Sequence, residues 1–353
     1  MLNLLTIDLS FLLEKAVLIS AVIAISLVVA MYSTWAERKV AGFMQDRLGP
    51  NRAGWGGLLQ PLADGLKLFM KEEIIPNASN KFLFVLGPGL AMLTAMMTSA
   101  VIPWGGNMEL FGRQVTLQIA DINIGILYIF GVVSMGVYGI MIGGWASNNK
   151  FSLMAALRGA SQMISYELAM GLAIIALLLF TGSLSLRTIV EQQVTSGWWY
   201  FFKQPLGFLI FMVCAFAECN RTPFDLPEAE NELNFGYHQE YSSMKLGFYL
   251  FAEYVNMFIS SCLMATLYFG GYDIPFVNDA SLVNSLGANP VALLQVAVLF
   301  AKIFFFIFFF MWVRWTIPRF RYDQLMNLGW KVMIPLALAN MLVTAALLLW
   351  RQG

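Results

Sequence analysis

The sequence of 353 residues contains few charged residues, few cysteines and a single histidine. Only 12% of the residues are charged, about half the share that is usual in a soluble domain. With His238 alone, the chain cannot provide two histidine ligands for a b-type haem. The three cysteines are too few for a four-cysteine iron–sulfur cluster, and no GxGxxG motif follows a strand-like segment. We therefore expect this chain to bind no cofactor and no metal.

The sequence also lacks an excess of basic charge and the features of a cleaved signal peptide. Lysine and arginine number 21, as do aspartate and glutamate, so the formal net charge is zero and no nucleic-acid partner is predicted. The N-terminus has neither a basic n-region nor a cleavage site of small residues, which predicts that there is no cleaved signal peptide.

The sequence is rich in long apolar runs. Hydrophobic residues make up 59% of the chain, and runs of roughly 20 apolar residues recur along it, each long enough to cross a bilayer as a helix. The pattern predicts an all-α, polytopic membrane protein with about eight transmembrane helices in one domain, 1–353. A short apolar segment at 2–10 is predicted to lie in the membrane interface. The predicted spans are 13–35, 82–103, 123–146, 164–183, 204–219, 246–270, 291–313 and 332–350.

The basic residues are distributed unevenly between the loops. Of the 21 lysines and arginines, 15 lie in loops one, three, five and seven, and three lie in loops two, four and six. The positive-inside rule therefore places the long odd-numbered loops in the cytoplasm and both termini outside it. The even-numbered loops are interpreted as ordinary connectors, so any chemistry is expected at the cytoplasmic face.

The first cytoplasmic loop combines basic residues with an amphipathic segment. Arg38 comes directly after the first apolar run. In the segment 57–72, apolar residues recur every three or four positions, while Asp64 and the lysines occupy the other side, which predicts a helix of about three turns on the membrane surface. The segment is either an ordinary interfacial anchor or the border of a lateral opening for a lipid-soluble ligand. The basic residues equally suit lipid headgroups.

Glu167 stands at the start of a long apolar run on the fourth predicted span. An ionised carboxylate at bilayer depth costs about 2.5–3.5 kcal/mol, so such a residue is protonated, paired or in contact with water. Arg158, Ser161 and Ser165 precede it at helical spacing. Glu167 is therefore either a functional acid or the source of a structural hydrogen bond to a neighbouring helix.

The fifth loop is strongly acidic. From Glu218 to Glu240 there are six acidic residues and one basic residue, Arg221. Asp225 precedes Pro227, with Glu228 three positions on, which predicts a capped helix start from which Glu228 and Glu232 share one face. Carboxylates this close raise one another's pKa and can hold a proton near neutral pH. The simpler alternative is a solvated acidic loop, although the many Pro, Phe, Tyr and Gly residues argue against it.

Two more charged residues lie inside predicted spans. Glu253 is followed by Asn256 and Ser260 at helical spacing, and Lys302 lies among phenylalanines. Both charges are costly in lipid and are expected to face the protein interior or water, and a Lys–Glu pair between helices would satisfy both. The arginines at 314–321, beside aromatic residues, suit lipid headgroups or the acidic groups of a partner protein.

The segments in the odd-numbered loops together resemble one protein family. The run Asn-Arg-Thr-Pro-Phe-Asp-Leu-Pro-Glu-Ala-Glu at 220–230 is highly specific, and matching stretches occur in loop one, at 158–167, at 217–254 and at 302–326. The chain thus resembles the quinone-site membrane subunits of proton-pumping NADH:quinone oxidoreductase, which is respiratory complex I.

The resemblance implies a membrane subunit at the junction of the peripheral and membrane arms, in a bacterial inner membrane. Its partners would be the other subunits of both arms, membrane lipids and quinone as the substrate, with NADH, FMN and iron–sulfur clusters in partner subunits. Acids of this chain would begin a polar path towards the antiporter-like subunits. The residues carried over as quinone-chamber candidates are Arg38, Gln60, Asp64, Arg158, Arg221 and Phe224. The proton-coupling candidates are Glu167, Glu218, Asp225, Glu228, Glu230, Glu232 and Glu253.

Three alternatives remain open at this point. The first is a homologous subunit of a membrane-bound hydrogenase or a ferredoxin-linked dehydrogenase, although the first and fifth loops favour the quinone enzyme. The second is a stand-alone secondary transporter that uses Glu167, Glu253 and Lys302, which would require broken helices at matched positions. The third is a membrane-embedded lipid transferase, for which a metal-binding DxxD motif is missing.

Overall fold

The computed structural model describes residues 9–110, 113–275, 282–283 and 287–352. Long helices dominate these residues, and a short antiparallel hairpin pairs β1 (Asn107–Leu110) with β2 (Arg113–Thr116). In chain order the helices are α1 (Leu9–Met44), α2 (Gln60–Met70), α3 (Lys81–Thr98), α4 (Gly125–Ala146), α5 (Lys150–Thr181), α6 (Leu186–Ser196), α7 (Tyr200–Lys203), α8 (Pro205–Glu218), α9 (Glu230–Leu233), α10 (Ser243–Tyr268), α11 (Ala288–Thr316), α12 (Tyr322–Asn327) and α13 (Ile334–Gln352). A π-helical turn at Leu328–Met333 joins α12 to α13.

The predicted all-α, polytopic membrane architecture is confirmed. In the described part of the chain, seven helices are long and apolar enough to cross a membrane: α1, α3, α4, α5, α10, α11 and the continuous helix from α12 to α13. The remaining predicted span, α8, is apolar but has only 14 residues. At 1.5 Å per residue it is about 21 Å long, shorter than a bilayer core of about 30 Å. Loop five therefore starts at a depth where its side chains are enclosed by the neighbouring helices.

Local sequence signals explain where several helices begin and end. The side chain of Asn80 accepts a hydrogen bond from the backbone of Leu83 at the start of α3, and Asn149 does the same for Phe151 at the start of α5. These caps satisfy backbone N–H groups that lack a partner within the helix. Gly182 ends α5 in a left-handed conformation, with φ of 62°.

The start of α5 differs from the prediction. The helix begins at Lys150, whereas hydropathy predicts that the apolar span begins at 164. The predicted third loop is therefore a short turn before Asn149, and Arg158 and Glu167 lie on one continuous helix. Hydropathy marks only the part of a helix that lies in the bilayer, so it assigns the polar first turns of α5 to a loop.

Glycines allow α3 and α4 to pack closely. A Cβ atom on Gly139 would lie 2.8 Å from the backbone nitrogen of Ala91 and 3.1 Å from the carbonyl oxygen of Gly87. Small residues at such a contact let two membrane helices approach until their backbones touch.

α10 lies at the centre of the bundle, and α1 lies at its edge. In its apolar window 72% of the residues are buried, against 22% in α1 and 17% in the last helix. The predicted amphipathic segment 57–72 is a helix, α2, which rests on α10 through a hydrogen bond from Ser243 Oγ to the Leu68 carbonyl oxygen. Leu62, Leu66 and Phe69 of α2 are exposed.

The segments between the spans contain more structure than predicted. The even-numbered loops are more than connectors, since loop two contains the β1–β2 hairpin and loop four contains α6 and α7. The predicted interfacial segment 2–10 lies almost wholly outside the described residues, and only its end belongs to α1.

Candidate functional site

A buried ion cluster, the Glu37 cluster, joins the C-terminal part of α1 to loop five, α10 and α11. Arg221 Nη1 lies 3.2 Å and Arg314 Nη1 2.6 Å from the two carboxylate oxygens of Glu37. Tyr254 of α10 donates a hydrogen bond of 2.8 Å to the same carboxylate. The guanidinium carbon of Arg221 lies 4.1 Å from the centre of the Tyr254 ring. Four segments that are distant in sequence therefore meet at one carboxylate.

Arg221 keeps its charge in this buried position. Burial alone would lower the pKa of the Arg221 guanidinium. Glu37 and Tyr254 raise this pKa by more than burial lowers it, so it lies well above its usual range. Among the described residues, its Nε and Nη2 atoms have no hydrogen-bond acceptor. The guanidinium instead lies over the Tyr254 ring, an arrangement that favours a cation.

Three predicted quinone-chamber residues meet on the side of α1 that faces α2. Arg38 Nη1 lies 2.7 Å from Asp64 Oδ2, and Gln60 Nε2 donates a hydrogen bond of 3.1 Å to Asp64 Oδ1. Glu37 and Arg38 are adjacent, so one turn of α1 supplies both this surface group and the buried Glu37 cluster. The two groups are thereby held in a fixed spatial relation.

Phe224 anchors loop five in the protein interior. Its ring is buried between Tyr166 and Phe320, at centroid distances of 5.3 and 5.6 Å. Gln162 on α5 is fully buried and donates hydrogen bonds of 2.7 and 2.8 Å to the carbonyl oxygens of Phe224 and Ala217. The amide of Gln162 thus fixes both ends of the turn that follows α8.

Asp225 forms an ion pair and does not start a helix. Its Oδ2 lies 2.6 Å from Arg319 Nη2 in loop seven, and the next helix, α9, begins only at Glu230. The predicted capped start and the shared face of Glu228 and Glu232 are therefore wrong. The carboxylate that would cap the helix is occupied by the arginine, and the chain turns at 226–228.

Burial is the main influence on the pKa of Asp225. Burial, together with the charge of Glu228, raises its pKa to about 7, while Arg319, Arg314 and Arg221 act in the opposite direction. The side chain of Asp225 is therefore poised to gain or lose a proton near neutral pH, although it has a cationic partner.

Glu228 of loop five and Glu253 in the first half of α10 form a carboxyl pair. Their side chains share a hydrogen bond, and Tyr237 Oη donates a bond of 3.4 Å to Glu253 Oε1. A hydrogen bond between two carboxyl groups requires a proton on one of them. Burial acts to raise the pKa of Glu228, but His238, the bond with Glu253 and Arg221 lower it below its usual value. A single proton shared by the two groups would satisfy this bond.

A cavity of about 60 Å³ opens beside this pair, which is enough space for several water molecules. Helices α3, α4, α5, α8 and α10 form its wall, which is apolar apart from a line of polar side chains. These polar side chains are Thr94, Thr98, Glu218, Asn220, Tyr237, Tyr249, Glu253, Asn256 and Ser260. The predicted helical register of Glu253, Asn256 and Ser260 thus places all three on the cavity.

Glu167 lies beyond the cavity, at the side of the bundle. It interacts electrostatically with Glu218, which lines the cavity, and it accepts a hydrogen bond from Ser134 of α4. Glu167 is half-buried and lines a separate lateral groove with Phe130 and Trp330. The carboxylates therefore continue from loop five, past the cavity, to a lateral face of the bundle.

The remaining predicted acids do not belong to this buried series. Glu232 is half exposed and forms an ion pair of 2.7 Å with Arg158 on the surface. The backbone of Glu230 starts α9, but its side chain lies outside the described residues.

Lys302 does not pair with Glu253. Its ammonium group donates hydrogen bonds of 2.7–2.8 Å to the carbonyl oxygens of Phe269, Gly271 and Asp273, just past the end of α10. Phe269 lies 16 residues beyond Glu253, about 24 Å along a helix. Lys302 thus neutralises the carbonyl end of α10 at the other side of the membrane bundle.

Sequence reasoning missed several residues of the site. Glu37, Tyr254, Gln162 and the ion-pairing roles of Arg314 and Arg319 were not predicted. Glu37 carried a detectable signal, because it is an acid at the end of a long apolar helix. The partners of the arginines carried none, since Arg314 is separated from Glu37 by most of the chain.

Comparison with known proteins assigns the chain to one family. The family model described as NADH dehydrogenase matches residues 16–345. The H subunit of NADH-quinone oxidoreductase from Flavobacterium johnsoniae is 66% identical over 340 residues, 96% of this chain and 96% of the relative. An H subunit from Cytophaga hutchinsonii is 66% identical over 343 residues, 97% and 99% of the two chains. An H subunit from Geobacter sulfurreducens is 50% identical over 329 residues, 90% of each chain.

Proposed function

The chain belongs to the H-type membrane subunits of NADH-quinone oxidoreductase, as an integral membrane part of a multi-subunit oxidoreductase, and on this premise we propose that it couples quinone reduction to proton translocation. In this proposal its inner loops form part of the quinone chamber, and its buried carboxylates carry the coupling. NADH, FMN and iron–sulfur clusters reside in partner subunits, which supply the electrons.

One observation carries the proposal: the continuous series of buried ionisable groups. It runs from the Glu37 cluster through Asp225 and the Glu228–Glu253 pair to the cavity, and then from Glu218 to Glu167. Burying a carboxylate in the membrane is costly, so such a residue is a functional candidate by default. A series of neighbouring ionisable groups is suited to passing charge from one group to the next. Surface pairs such as Arg158–Glu232 lie apart from it.

The quinone end of the series lies at α1, α2 and loop five. Arg38, Gln60 and Asp64 present hydrogen-bonding groups next to the exposed apolar face of α2, and Arg221 and Phe224 are buried in loop five. An apolar substrate that moves along the membrane would reach these groups beside α2. Arg158, the remaining chamber candidate, pairs with Glu232 on the surface.

Charge created at the chamber would act on the nearest titratable groups. Reduction of a quinone to a quinol consumes protons, and before these arrive the chamber gains negative charge. Negative charge near Asp225 raises its pKa further from about 7, so Asp225 takes up a proton. The Glu228–Glu253 pair then redistributes its own proton towards the cavity. A change of about 2 pKa units is about 2.7 kcal/mol, comparable with about 2.3 kcal/mol for one charge crossing 100 mV.

We place the chain in a bacterial inner membrane, with both termini outside the cytoplasm. Fifteen of the 21 basic residues lie in the odd-numbered loops, which supports a cytoplasmic location for these loops. Flavobacterium, Cytophaga and Geobacter, the sources of the similar chains, are bacteria.

The test uses membranes that carry the intact complex with Glu253→Gln or Glu167→Gln. Both variants keep the size of the side chain but cannot release a proton. We expect NADH:quinone reductase activity and proton pumping to fall together, by tenfold or more, while electron transfer from NADH to an artificial acceptor upstream of quinone stays normal. Assembly is checked by native gel.

The matched control is Glu191→Gln, an exposed acid in α6 that pairs with Arg187 away from the series. It should leave both activities unchanged. If Glu253→Gln and Glu167→Gln assemble and both retain normal quinone reduction and pumping, the buried series does not couple the two processes.

A further inference from the structure

A second groove lies on the opposite half of the bundle, between α1 and α11, and the proposed function does not use it. Its volume is about 140 Å³, and the residues of its wall are apolar apart from Gln118, among them Leu18, Val22 and Ile25 of α1. The segment before α4 contributes Leu117, and α11 contributes Phe300. The groove is open at the side of the bundle where α1 is largely exposed.

A lysine stands at one end of this groove. Lys15 precedes Leu18, Val22 and Ile25 by 3, 7 and 10 residues, so all four lie on one face of α1. Lys15 Nζ donates a hydrogen bond of 3.3 Å to the backbone carbonyl of Gln118, whose side chain belongs to the groove wall. The ammonium group is thereby fixed at the mouth of the groove.

The charge at this mouth suits a phosphate. A lysine ammonium has three donors, and the bond to Gln118 uses one of them. Glu14 lies 3.7 Å away and offsets part of the charge. The remaining donors favour a single anionic group at short range over a general attraction to acidic surfaces.

The distance along α1 from Lys15 to the far end of the groove matches one leaflet of a bilayer. From Lys15 to Ile25 the helix rises by about 15 Å, which is half of a hydrocarbon core of about 30 Å. Lys15 lies near the end of the span, where headgroups are found. The order of cation and apolar stripe is the order of phosphate and acyl chain in a phospholipid.

We propose that the groove between α1 and α11 holds one acyl chain of a glycerophospholipid, whose phosphate binds Lys15. The lipid seals the contact between α1 and α11 at the half of the bundle opposite the Glu37 cluster. It is a bound structural lipid, separate from the quinone path beside α2.

The test places the intact purified complex in nanodiscs with a phosphatidylcholine that carries a photoactivatable diazirine in its acyl chain. After illumination, labelled peptides are identified by mass spectrometry. We expect labels on the α1 and α11 segments that line the groove, and we expect Ala21→Phe, which fills the groove, to remove them. Lys15→Gln should lower the labelling by up to about fivefold, the ratio that corresponds to about 1 kcal/mol for one exposed ion pair.

The matched control is Ala24→Phe, the same substitution on the same helix at an exposed position that does not line the groove. It should assemble and label as the original complex does, which also shows that α1 tolerates the added ring. The proposal fails if the groove segments are not labelled in the assembled complex, as expected when a protein segment covers them. It also fails if Ala21→Phe and Ala24→Phe label equally.

Discussion

At the scale of single residues, Asp225 is subject to two opposing influences. Burial and Glu228 raise its pKa to about 7, although Arg319 lies 2.6 Å from its carboxylate. In the unfolded chain the group titrates near 3.8, so the native state binds the proton more tightly. The stability that this group contributes is therefore fully present below the unfolded pKa and is lost as the pH rises from about 4 through about 7.

This sign predicts how Asp225→Asn behaves. At about pH 5.5 the Asp225 carboxyl group of the original complex is largely protonated, so Asp225→Asn replaces one neutral side chain with another and changes thermal stability little. As the pH rises through about 7, the original complex loses stability that the variant keeps, because the variant has no titrating group at this position. The variant is therefore the more stable of the two at about pH 8.5. Thermal unfolding of the detergent-solubilised complex measures this. Asp323→Asn, in an exposed pair with Arg321, is the control and should change thermal stability little. A constant difference for Asp225→Asn would contradict the raised pKa.

Glu37 predicts a different kind of effect, because its carboxylate and its partner Arg221 are almost fully buried. Glu37→Gln leaves two arginines facing each other, and loss of one partner of a buried pair costs about 3–5 kcal/mol. We expect much less assembled complex on a native gel. The double variant Glu37→Gln with Arg221→Gln should recover part of it, since Arg314 is partly exposed and can be hydrated. Glu191→Gln is the control for an exposed pair. Equal losses in the single and double variants would show that unpaired charge is not the cause.

The charged residues that are costly to bury in an apolar segment could be predicted from the sequence, but their partners in the fold could not. Glu167 and Glu253 were found because an acid in an apolar segment is conspicuous. The pairing of Glu37 with Arg314 depends on helices that are adjacent only after folding, so no local pattern shows it. For the same reason Lys302 was given the wrong kind of partner: its charge is satisfied by backbone carbonyls, which every segment possesses.

At the scale of helices and turns, the close contact between α3 and α4 depends on the absence of side chains. Gly139→Ala places a methyl group 2.8 Å from the Ala91 backbone nitrogen, and backbone cannot move aside as a flexible side chain can. Overpacking of this kind costs about 1–3 kcal/mol. We expect a lower thermal unfolding temperature of the complex. Gly131→Ala on the same helix meets nothing within 4 Å and should be neutral or slightly stabilising, because alanine favours a helix. Equal behaviour of the two variants would mean that α3 can shift away from α4.

Helices were predictable where burial in lipid selects their composition, and less so elsewhere. The apolar runs located the spans, and the amphipathic pattern located α2. Loop five was misjudged because α8 is short and the loop folds inside the bundle. There, tertiary contacts such as Gln162 with Phe224 and Arg319 with Asp225 fix the backbone, and they override the local helix signals around Pro227.

At the scale of the whole molecule, the ionisable groups are distributed unevenly between the two ends of the bundle. The Glu37 cluster, Asp225 and the Glu228–Glu253 pair lie at the end that carries the odd-numbered loops. The other end carries the β1–β2 hairpin, α6 and Lys302 at the terminus of α10. Since protons for quinone reduction enter from the odd-loop end in the proposed function, the orientation of the chain in the membrane decides the direction of coupling.

The orientation can be measured with single cysteines because the native ones do not interfere. Cys214, Cys219 and Cys262 are buried, so a membrane-impermeant maleimide should not react with them. Ala78→Cys lies in the exposed odd-numbered loop after α2, and Ser196→Cys lies at the exposed end of α6. In right-side-out vesicles we expect labelling of Ser196→Cys and none of Ala78→Cys, and the reverse in inverted vesicles. The unsubstituted complex gives the background. Labelling of Ala78→Cys from outside would invert the topology, and the carboxylate series would then open to the wrong side for uptake of protons from the cytoplasm.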